Sequence, residues 1–358
     1  MIYCSDGQKL ISSLCFTHLR SIEMVENLPV ESFKPEPARE PSCASQGLAP
    51  SFSVKAPKAI SLFTPDWDRY ELVDSGGGRR LERMGEMIVD RPEPKAWWDR
   101  SAPDEVWNGA DARFDVDSGW RSSSRAGRLA QGSQWELSYG PARFFARLSS
   151  NKHLGVFPEQ AAMWGWIRDR VSQGGIAQPR VLNLFGYTGI ASLVAAHAGA
   201  VVTHLDGSKP AVSQGRENID ELGQEHLSIR WIVDDVRAFV ARELRRGNSY
   251  EGIILDPPSF GRGPRQEVWK SSEQLPALLK ECAKLLSEKA LFMVATVYSI
   301  EASATMVGNL VLDAVGDKGG SIEAGEIAMI PTYGSKPLSV SLVGRWSAVN
   351  GGAGSYDR

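Results

Sequence analysis

The sequence predicts an α/β protein built on an open, mostly parallel sheet, with a smaller β-rich domain in front of it. From residue 158 onward, short uninterrupted apolar runs alternate with amphipathic segments of helical period. Such runs are typical of strands buried on both faces, as in a parallel sheet covered by helices. Residues 60–150 instead carry short apolar segments separated by glycine-rich turns, which indicates hairpins.

The bulk composition is that of an ordinary globular protein. The chain has 358 residues, of which 42% are hydrophobic and 23% charged, and its length suggests two domains at about 150 residues each. No apolar run is long enough to span a bilayer, so no membrane partner is expected. The net charge of -3 counts mildly against a strongly salt-dependent nucleic-acid binder, although a local basic groove would suffice.

The four cysteines point to a reducing compartment. They include no C-x-x-C pair, so neither a metal site nor a disulfide framework is predicted, and a cytoplasmic protein is expected. The stretch from Phe33 to Lys58 is rich in proline and serine. We expect residues 1–58 to be a disordered tail, with a targeting segment or an over-extended start as alternatives, and residues 349–358 to be a second tail.

The two predicted domains divide at residue 150. Residues 59–150 are expected to form the β-rich domain, with hairpins at 70–87 and 135–148, and to bind substrate or act as a lid. Residues 151–348 are expected to form the α/β domain. Its predicted elements are helix 159–171, strand 181–185, helix 190–198, strand 201–205, helix 209–222, strand 229–233, helix 236–245, strand 252–255, helix 272–286, strand 291–296 and an antiparallel edge hairpin at 327–330 and 338–343.

A glycine-containing loop follows the first strand of the α/β domain. It reads Asn183-Leu184-Phe185-Gly186-Tyr187-Thr188-Gly189 and leads into a helix. Gly186 and Gly189 can adopt backbone angles closed to other residues and allow a ligand to approach the main chain. The helix offers free N–H groups to an anionic group. We therefore predict a cofactor contact here.

Carboxylates end the next two strands. Asp206 ends the second strand and could accept hydrogen bonds from ribose hydroxyls, while Ser208 is the better candidate to cap the following helix. Asp234 and Asp235 end the third strand, where a carboxylate could meet an adenine amine. For Asp235, a helix N-cap is the alternative.

A dinucleotide dehydrogenase is the rival interpretation of this layout. Its fingerprint is G-x-G-x-x-G, which the loop does not match. Phe185 and Tyr187 are bulky where a pyrophosphate would need close backbone approach. The pattern therefore favours a nucleoside cofactor that has no phosphate.

The reaction site is predicted after the fourth strand, at Asp256-Pro257-Pro258-Ser259-Phe260. Ligands bind at the carboxyl ends of strands in open α/β sheets. The prolines stiffen the turn, so backbone carbonyls and the Asp256 carboxylate could accept hydrogen bonds from an amine or a flipped base, and Phe260 could stack on it. Tyr298 and Ser299, after the fifth strand, could line the same site.

Together these motifs resemble the class I methyltransferases that use S-adenosylmethionine (SAM), with their Rossmann-like sheet. More narrowly, they resemble the group related to bacterial 23S rRNA 5-methylcytosine methyltransferases, and residues 60–345 resemble a bacterial set usually described only as SAM-dependent methyltransferases. The resemblance is carried by the stretch from His153 to Gln160, the glycine-containing loop and the stretch 255–263. The resemblance implies SAM as cofactor, with Phe157 and Gln160 bordering it, Asp206 holding the ribose and Asp235 meeting the adenine.

One departure from that group concerns the reaction itself. Cytosine C5 is not nucleophilic, so those enzymes first add a cysteine thiolate to the ring. Neither the fourth nor the fifth strand is followed by a cysteine here, and Cys282 falls in an amphipathic helix where packing is expected. We therefore expect direct methyl transfer to a nitrogen or oxygen atom, with Asp256 orienting the acceptor or accepting its proton.

The methyl acceptor is left open by the sequence. Arg262, Arg265 and Lys270 flank the reaction motif and are the candidates to contact RNA phosphates, although a solvated face is the alternative. An RNA acceptor, most simply ribosomal RNA, is expected. A protein or small-molecule acceptor is the second hypothesis, and a non-catalytic SAM-fold binding module is the third.

Overall fold

Short strands dominate the N-terminal part of the chain. The computed structural model describes residues 56–65, 67–123, 131–298 and 300–348, so the predicted tails lie almost wholly outside the described residues. In chain order the first elements are strands β1 (Lys58–Phe63), β2 (Tyr70–Gly76), β3 (Arg79–Met84) and β4 (Met87–Pro92), helix α1 (Asp104–Asn108), and strands β5 (Ala112–Asp115), β6 (Gly119–Ser122), β7 (Gln134–Tyr139) and β8 (Ala142–Arg147). Strands β2 to β6 form one sheet, and β7 and β8 form a hairpin.

The rest of the chain alternates helices and strands. A single 3₁₀ turn (Pro158–Gln160) leads into α2 (Ala161–Gln173). The elements that follow are β9 (Arg180–Leu184), α3 (Ile190–His197), β10 (Val201–Asp206), α4 (Lys209–Asp220), β11 (Ile229–Val233), α5 (Val236–Arg246), β12 (Gly252–Leu255), β13 (Phe260–Arg262), β14 (Val268–Lys270), α6 (Ser271–Lys284), β15 (Phe292–Val297), α7 (Ala304–Val315), β16 (Ser321–Met329) and β17 (Leu338–Ser347).

An eight-stranded sheet is the framework of the molecule. Its order is β1-β16-β17-β15-β12-β9-β10-β11. The neighbours from β15 to β11 are all parallel, and β17 is antiparallel to both β15 and β16. Every residue of β12 and β15 is buried, which explains why their sequences are apolar apart from Thr296. The predicted α/β fold is confirmed, and the carboxyl ends of β9, β10, β12 and β15 meet at one edge.

The sheet edges differ from the prediction. The C-terminal hairpin was expected at the edge, but β17 lies inside the sheet between β15 and β16. The edge strand is β1, which pairs in parallel with β16 from Lys58↔Glu323 to Phe63↔Ala328. Residues 59–63 therefore extend the large sheet rather than the β-rich one. Residues 52–358 form one compact unit, and their division at residue 150 stays a prediction.

Helix α7 was not predicted. Its sequence contains Gly308 and several β-branched residues, which lower intrinsic helix propensity. Its start nevertheless has a recognisable signal, because Ser303 caps it by accepting a hydrogen bond from the Met306 N–H at 3.1 Å. Gly308 allows close approach to the sheet, since an added Cβ would lie 2.7 Å from the Ala324 Cβ. Tertiary packing thus stabilises a segment of weak propensity.

A buried ion cluster joins the β-rich sheet to the turn in front of α2. Arg91 forms two hydrogen bonds to Glu82, from Nε at 2.5 Å and from NH2 at 2.9 Å. Arg80 lies 3.3 Å from Glu82 and 3.9 Å from Glu159. Burial raises the pKa of Glu82, but Arg80 and Arg91 outweigh it and hold that pKa at about 2. The ion pair between Arg80 and Glu159 therefore attaches the turn that carries Gln160 to the β-rich sheet.

None of the helices within the described ranges combines the length and the apolar character that crossing a bilayer requires.

Candidate active site

The loop between β9 and α3 has an unusual backbone. Phe185 and Tyr187 both adopt left-handed conformations, with φ of 56° and 51°, and Gly189 follows with φ of 85°. A left-handed non-glycine residue costs roughly 1–2 kcal/mol. The Tyr187 N–H donates to Asp206 Oδ2 at 2.8 Å and the Gly186 N–H donates to the Leu205 carbonyl at 3.0 Å, which fixes the loop on β10. The strain is held in place by these bonds.

Gly186 is needed for space rather than for backbone freedom. The prediction gave it a special φ, but its φ is not positive, and the left-handed positions are its two neighbours. A Cβ at Gly186 would overlap the imidazole of buried His204 and come within 3.0 Å of Asn183 Nδ2. The glycine therefore permits close packing of the loop on β10.

This close packing leads to a stability prediction. Gly186→Ala is expected to lower the free energy of unfolding by ~1–3 kcal/mol, because the added methyl must displace His204 or the loop. Chemical denaturation of the purified variant measures the change. Gly186→Ala should lower the free energy of unfolding less in a His204→Ala background than in the wild type, because the obstructing imidazole is then absent. Equal losses in both backgrounds would show that His204 is not the obstacle.

A buried polar network lies beneath the loop. Asn183 Nδ2 donates to Ser192 Oγ at 2.9 Å, and Ser192 Oγ lies 3.0 Å from His204 Nδ1. Burial lowers the pKa of His204 to about 3, so the imidazole is neutral at physiological pH. Asn183, predicted to contact the cofactor, is 1% exposed, so it borders the site from below and supports the loop.

Asp206 and Ser208 occupy the end of β10. Asp206 Oδ1 accepts from the Ser208 N–H at 2.7 Å, while Oδ2 accepts from Tyr187. Ser208 caps α4 through a hydrogen bond from the Ala211 N–H at 3.4 Å, as the sequence suggested. Burial raises the pKa of Asp206, against the two N–H groups that lower it. Asp206 thus ties the loop to the end of β10 and keeps acceptor capacity on both oxygens.

Asp234 and Asp235 have different surroundings. Asp235 is the N-cap of α5 and accepts from the Ala238 N–H at 2.9 Å, so the alternative interpretation of this residue holds for one of its oxygens. Asp234 lies between two guanidinium groups: Arg242 hydrogen-bonds its Oδ2, and Arg265 lies 3.7 Å from its Oδ1.

Asp256 is at the centre of a group of polar side chains. Its Oδ1 accepts hydrogen bonds from Thr296 Oγ1 and from Gln160 Nε2, the latter at 3.2 Å. Gln160 Nε2 also donates to Thr296 Oγ1 at 3.0 Å and to the Tyr298 hydroxyl. Burial raises the pKa of Asp256 to about 7, although Thr296 and Gln160 oppose the increase. A carboxyl group poised near neutrality suits proton transfer.

Aromatic rings enclose this carboxyl group. The Phe157 ring centroid lies 5.4 Å from that of Tyr187 and 6.0 Å from that of Tyr298. Burial raises the pKa of Tyr298 well above its usual range, and Asp256 adds to the increase, so Tyr298 is a neutral phenol. A cavity runs from the loop to Asp256. Its lining includes the predicted residues Phe157, Gln160, Asn183, Phe185, Gly186, Tyr187 and Asp256.

Some residues that line the cavity were not predicted from the sequence. Thr296 and Gly155 line the same cavity as Asp256. The position of Thr296 at the carboxyl end of a buried strand was an available signal. The sequence analysis named Ser299 as a possible lining residue, and it lies outside the described residues.

The two prolines shape the turn after β12. Carbonyls here were expected to face the acceptor, but the Pro258 carbonyl accepts from Trp269 Nε1 at 2.8 Å and from Ser271 Oγ at 2.7 Å. It therefore anchors the start of α6 instead of facing the acceptor. Pro257 is buried and Phe260 is 48% exposed, which leaves the Phe260 ring accessible to a planar group.

The three basic residues that flank the turn are not equivalent. Arg265 Nε donates to Glu267 Oε1 at 2.9 Å in addition to facing Asp234. Lys270 Nζ donates to Glu273 Oε1 at 2.9 Å. Arg262 is exposed, and among the described residues no ion pair is found for it. Of the three, Arg262 is the cation most available to a phosphate.

No thiol belongs to the site as far as the chain is described. Cys282 is fully buried in the core on α6, and burial raises the pKa of its thiol far above the usual range. It is therefore a packing residue. Within the described ranges no group of His, Cys, Asp or Glu side chains is arranged to hold a metal ion.

Comparison with known proteins identifies the family. A family model for S-adenosylmethionine-dependent methyltransferases matches residues 99–310. A solved SAM-dependent methyltransferase from Agrobacterium tumefaciens is 40% identical and superimposes with a TM-score of 0.77, covering 82% of this chain and 96% of that one. The structure designated SMU.776, solved in complex with SAH, is 18% identical with a TM-score of 0.59 and covers 77% of this chain and 75% of that one, which shows a common fold.

Curated relatives match a shorter stretch. The ribosomal RNA large subunit methyltransferase K/L of Hahella chejuensis is 32% identical over 150 residues, or 40% of this chain and 19% of that protein. The ribosomal RNA large subunit methyltransferase I of Klebsiella pneumoniae is 33% identical over 86 residues, or 24% of this chain and 22% of that protein. The chain thus spans about a fifth of the length of each of these relatives.

Proposed function

The chain belongs to the S-adenosylmethionine-dependent methyltransferases, and from that premise we propose that it methylates RNA by direct transfer to a nitrogen or oxygen atom. The observation that carries this proposal is the Asp256 carboxyl group, which Thr296 and Gln160 hold at the end of β12; the one cysteine within the described ranges, Cys282, is buried in the core on α6. Ribosomal RNA is the most economical acceptor, because the two relatives described above are named as methyltransferases of large-subunit ribosomal RNA. Such a substrate would place the protein in the cytoplasm.

The residues at the sheet edge fit SAM. Asp206 is proposed to accept from the ribose hydroxyls, because both of its oxygens face this edge and are already oriented by backbone N–H groups. Asp234 and Asp235 are proposed to lie at the adenine. The left-handed loop from Phe185 to Tyr187 and the Phe157 ring are proposed to border the methionine part. When bound, SAM supplies an activated methyl group on a sulfonium.

Asp256 is proposed to orient the acceptor and to take its proton. Gln160 and Thr296 both hydrogen-bond to the Oδ1 atom, so the carboxylate is held in one orientation while Oδ2 is free of these two donors. An ionised Oδ2 can accept a hydrogen bond from an N–H or O–H group and then hold the proton released on methylation. The neutral phenol of Tyr298 and the Phe157 ring, whose centroids lie 6.0 Å apart, are proposed to shield this carboxylate from water.

Phe260 and Arg262 are proposed to hold the acceptor base and its backbone. An exposed aromatic ring beside an acceptor carboxylate suits a base taken out of its stack. Arg262, free of the ion pairs that occupy its neighbours, suits a phosphate. Lys270, whose pair with Glu273 is exposed on both sides, is proposed as a second, weaker phosphate contact.

Labelled SAM tests the choice of acceptor. The full-length protein is incubated with SAM carrying a labelled methyl group and with separated RNA, protein and small-molecule fractions of a bacterial lysate. We expect label in RNA that is lost after ribonuclease treatment. Label confined to the protein or small-molecule fraction would overturn the RNA proposal, and no label in any fraction combined with no SAM binding would overturn both activity and cofactor site.

The reaction is expected to depend on pH through Asp256. Its pKa of about 7 means that the ionised, proton-accepting form is a minority below neutrality and predominates above it. The single-turnover rate at saturating SAM and RNA should therefore rise about tenfold per pH unit below 7 and level off above it. Asp256→Asn should show no such rise. A wild-type rate that is flat between pH 5.5 and 8.5 would exclude this role for Asp256.

A further inference from the structure

A short hairpin links the acceptor turn to α6. It consists of β13, a tip at residues 263–267, and β14, and it is called the 260–270 hairpin below. Its tip is tightly closed, because the Gly263 N–H donates to the Glu267 carbonyl at 2.8 Å and the Gln266 N–H donates to the Gly263 carbonyl at 3.0 Å. The sequence alone indicated only a basic segment here.

The base of the hairpin is attached to the cofactor loop. Trp269 on β14 is 6% exposed, and its ring centroid lies 4.8 Å from that of Phe185. Its Nε1 donates to the Pro258 carbonyl. The strained loop and the acceptor turn thus both contact the hairpin through the same buried ring.

The tip of the hairpin lies against the end of β10. A Cβ added to Gly207 would be 3.5 Å from Gly263 Cα and 3.6 Å from the Pro264 ring, so the two segments face each other with room for about one methyl group between them. Gly207 directly follows Asp206, the proposed ribose ligand. The tip therefore lies beside the residue that follows the proposed ribose ligand.

Arg265 fastens the tip to the end of β11. Its NH2 lies 3.7 Å from Asp234 Oδ1, and Glu267 orients it by accepting from both its Nε and its backbone N–H at 2.9 Å. The Asp234 side chain is 16% exposed whereas that of Arg265 is 67% exposed, so the contact closes over Asp234 from the solvent side. Three proposed SAM contacts, at Phe185, Asp206 and Asp234, thus lie beneath one element.

We propose that the 260–270 hairpin covers the adenosine part of the cofactor site on its solvent side. Arg265 is then a determinant of cofactor affinity rather than an RNA contact. The proposal rests on the cofactor site proposed above. With the 260–270 hairpin in this position, the adenosine is shielded from water, and the tip must move away before the cofactor can leave. Loss of Arg265 should therefore act mainly on cofactor dissociation.

The test measures binding of SAM and SAH to Arg265→Ala in the absence of RNA. We expect calorimetry to give dissociation constants that are 3- to 10-fold larger than those of the wild type. The dissociation rate of SAH, measured by tryptophan fluorescence, should increase by the same factor. The matched control is Lys280→Ala, which removes an exposed cation from a surface ion pair, to Asp313 at 2.6 Å, and should leave both values unchanged. Unchanged or tighter binding by Arg265→Ala would overturn the proposal.

A double variant separates this role from a general loss of structure. If Arg265 acts through Asp234, then Asp234→Asn with Arg265→Ala should bind SAM no more than about twofold more weakly than the weaker single variant. Fully multiplicative losses would contradict the contact. The unfolding midpoint of unliganded Arg265→Ala should equal that of the wild type, because an exposed ion pair contributes little. Failure of the RNA proposal would appear separately, as normal SAM binding without label in RNA.

Discussion

Asp256→Asn is expected to lower the rate of methyl transfer by ~10²–10⁴-fold while leaving the dissociation constant for SAM within about threefold of the wild-type value. Asparagine keeps an oxygen that can accept from Thr296 and Gln160, so the turn should retain its position. It cannot ionise and cannot hold the released proton. Single-turnover kinetics at saturating SAM and RNA, with calorimetry for SAM, separate the two effects.

The same substitution should stabilise the protein at high pH. The pKa of Asp256 is raised by burial from its ordinary value to about 7, so ionisation favours the unfolded chain. This cost is absent below the unfolded pKa, grows between the two values and is complete above pH 7, where it is on the order of 2–4 kcal/mol. Asp256→Asn should therefore melt several degrees higher at pH 8 and show a smaller gain at pH 5. Loss of activity with lower stability at pH 8 would instead indicate a damaged fold.

Asp206→Ala is expected to weaken SAM binding by at least ~10²-fold. The substitution removes the acceptor of the Tyr187 and Ser208 N–H groups, and it also removes the proposed ribose contact. Each hydrogen bond to a charged group is worth about 1.5–3 kcal/mol. Calorimetric titration with SAM measures the loss, and the unfolding midpoint of the unliganded variant reports how much of it comes from the loop.

A matched carboxylate controls for charge alone. Asp220 is exposed at the C-terminal end of α4, away from the loop, and Asp220→Ala should bind SAM as the wild type does. Wild-type SAM affinity in Asp206→Ala would show that the ribose does not lie at the end of β10, and the proposed cofactor site would then have to be abandoned.

The parallel part of the sheet was predictable because its signals are local. The strands β9 to β12 and β15 are short and mostly apolar, and two of the helices between them begin at a capping side chain, Ser208 for α4 and Asp235 for α5. The position of β1 was not predictable, because pairing between Lys58–Phe63 and β16 is a contact between distant parts of the chain. Edge pairing of this kind leaves little trace in residue patterns.

The same distinction applies to the site. The strand-end carboxylates could be named from the sequence because they follow buried strands. The hydrogen bonds of Asp256 to Gln160 and Thr296 could not be predicted, because Gln160 lies 96 residues before it and Thr296 lies 40 residues after it. The role of Arg265 was hidden for the same reason. From the sequence alone, a basic residue near a reaction motif predicts a phosphate contact. Only the fold shows that Arg265 lies beside Asp234.

Transfer of a trideuterated methyl group from SAM to RNA tests the proposed activity most directly. After reaction with the full-length protein, the RNA is digested to nucleosides and analysed by mass spectrometry with fragmentation of the base and the ribose. We predict deuterium label on a base nitrogen or a ribose oxygen, and its loss with Asp256→Asn. Label at C5 of cytosine, or RNA that carries no label while another acceptor does, would contradict direct methylation of RNA.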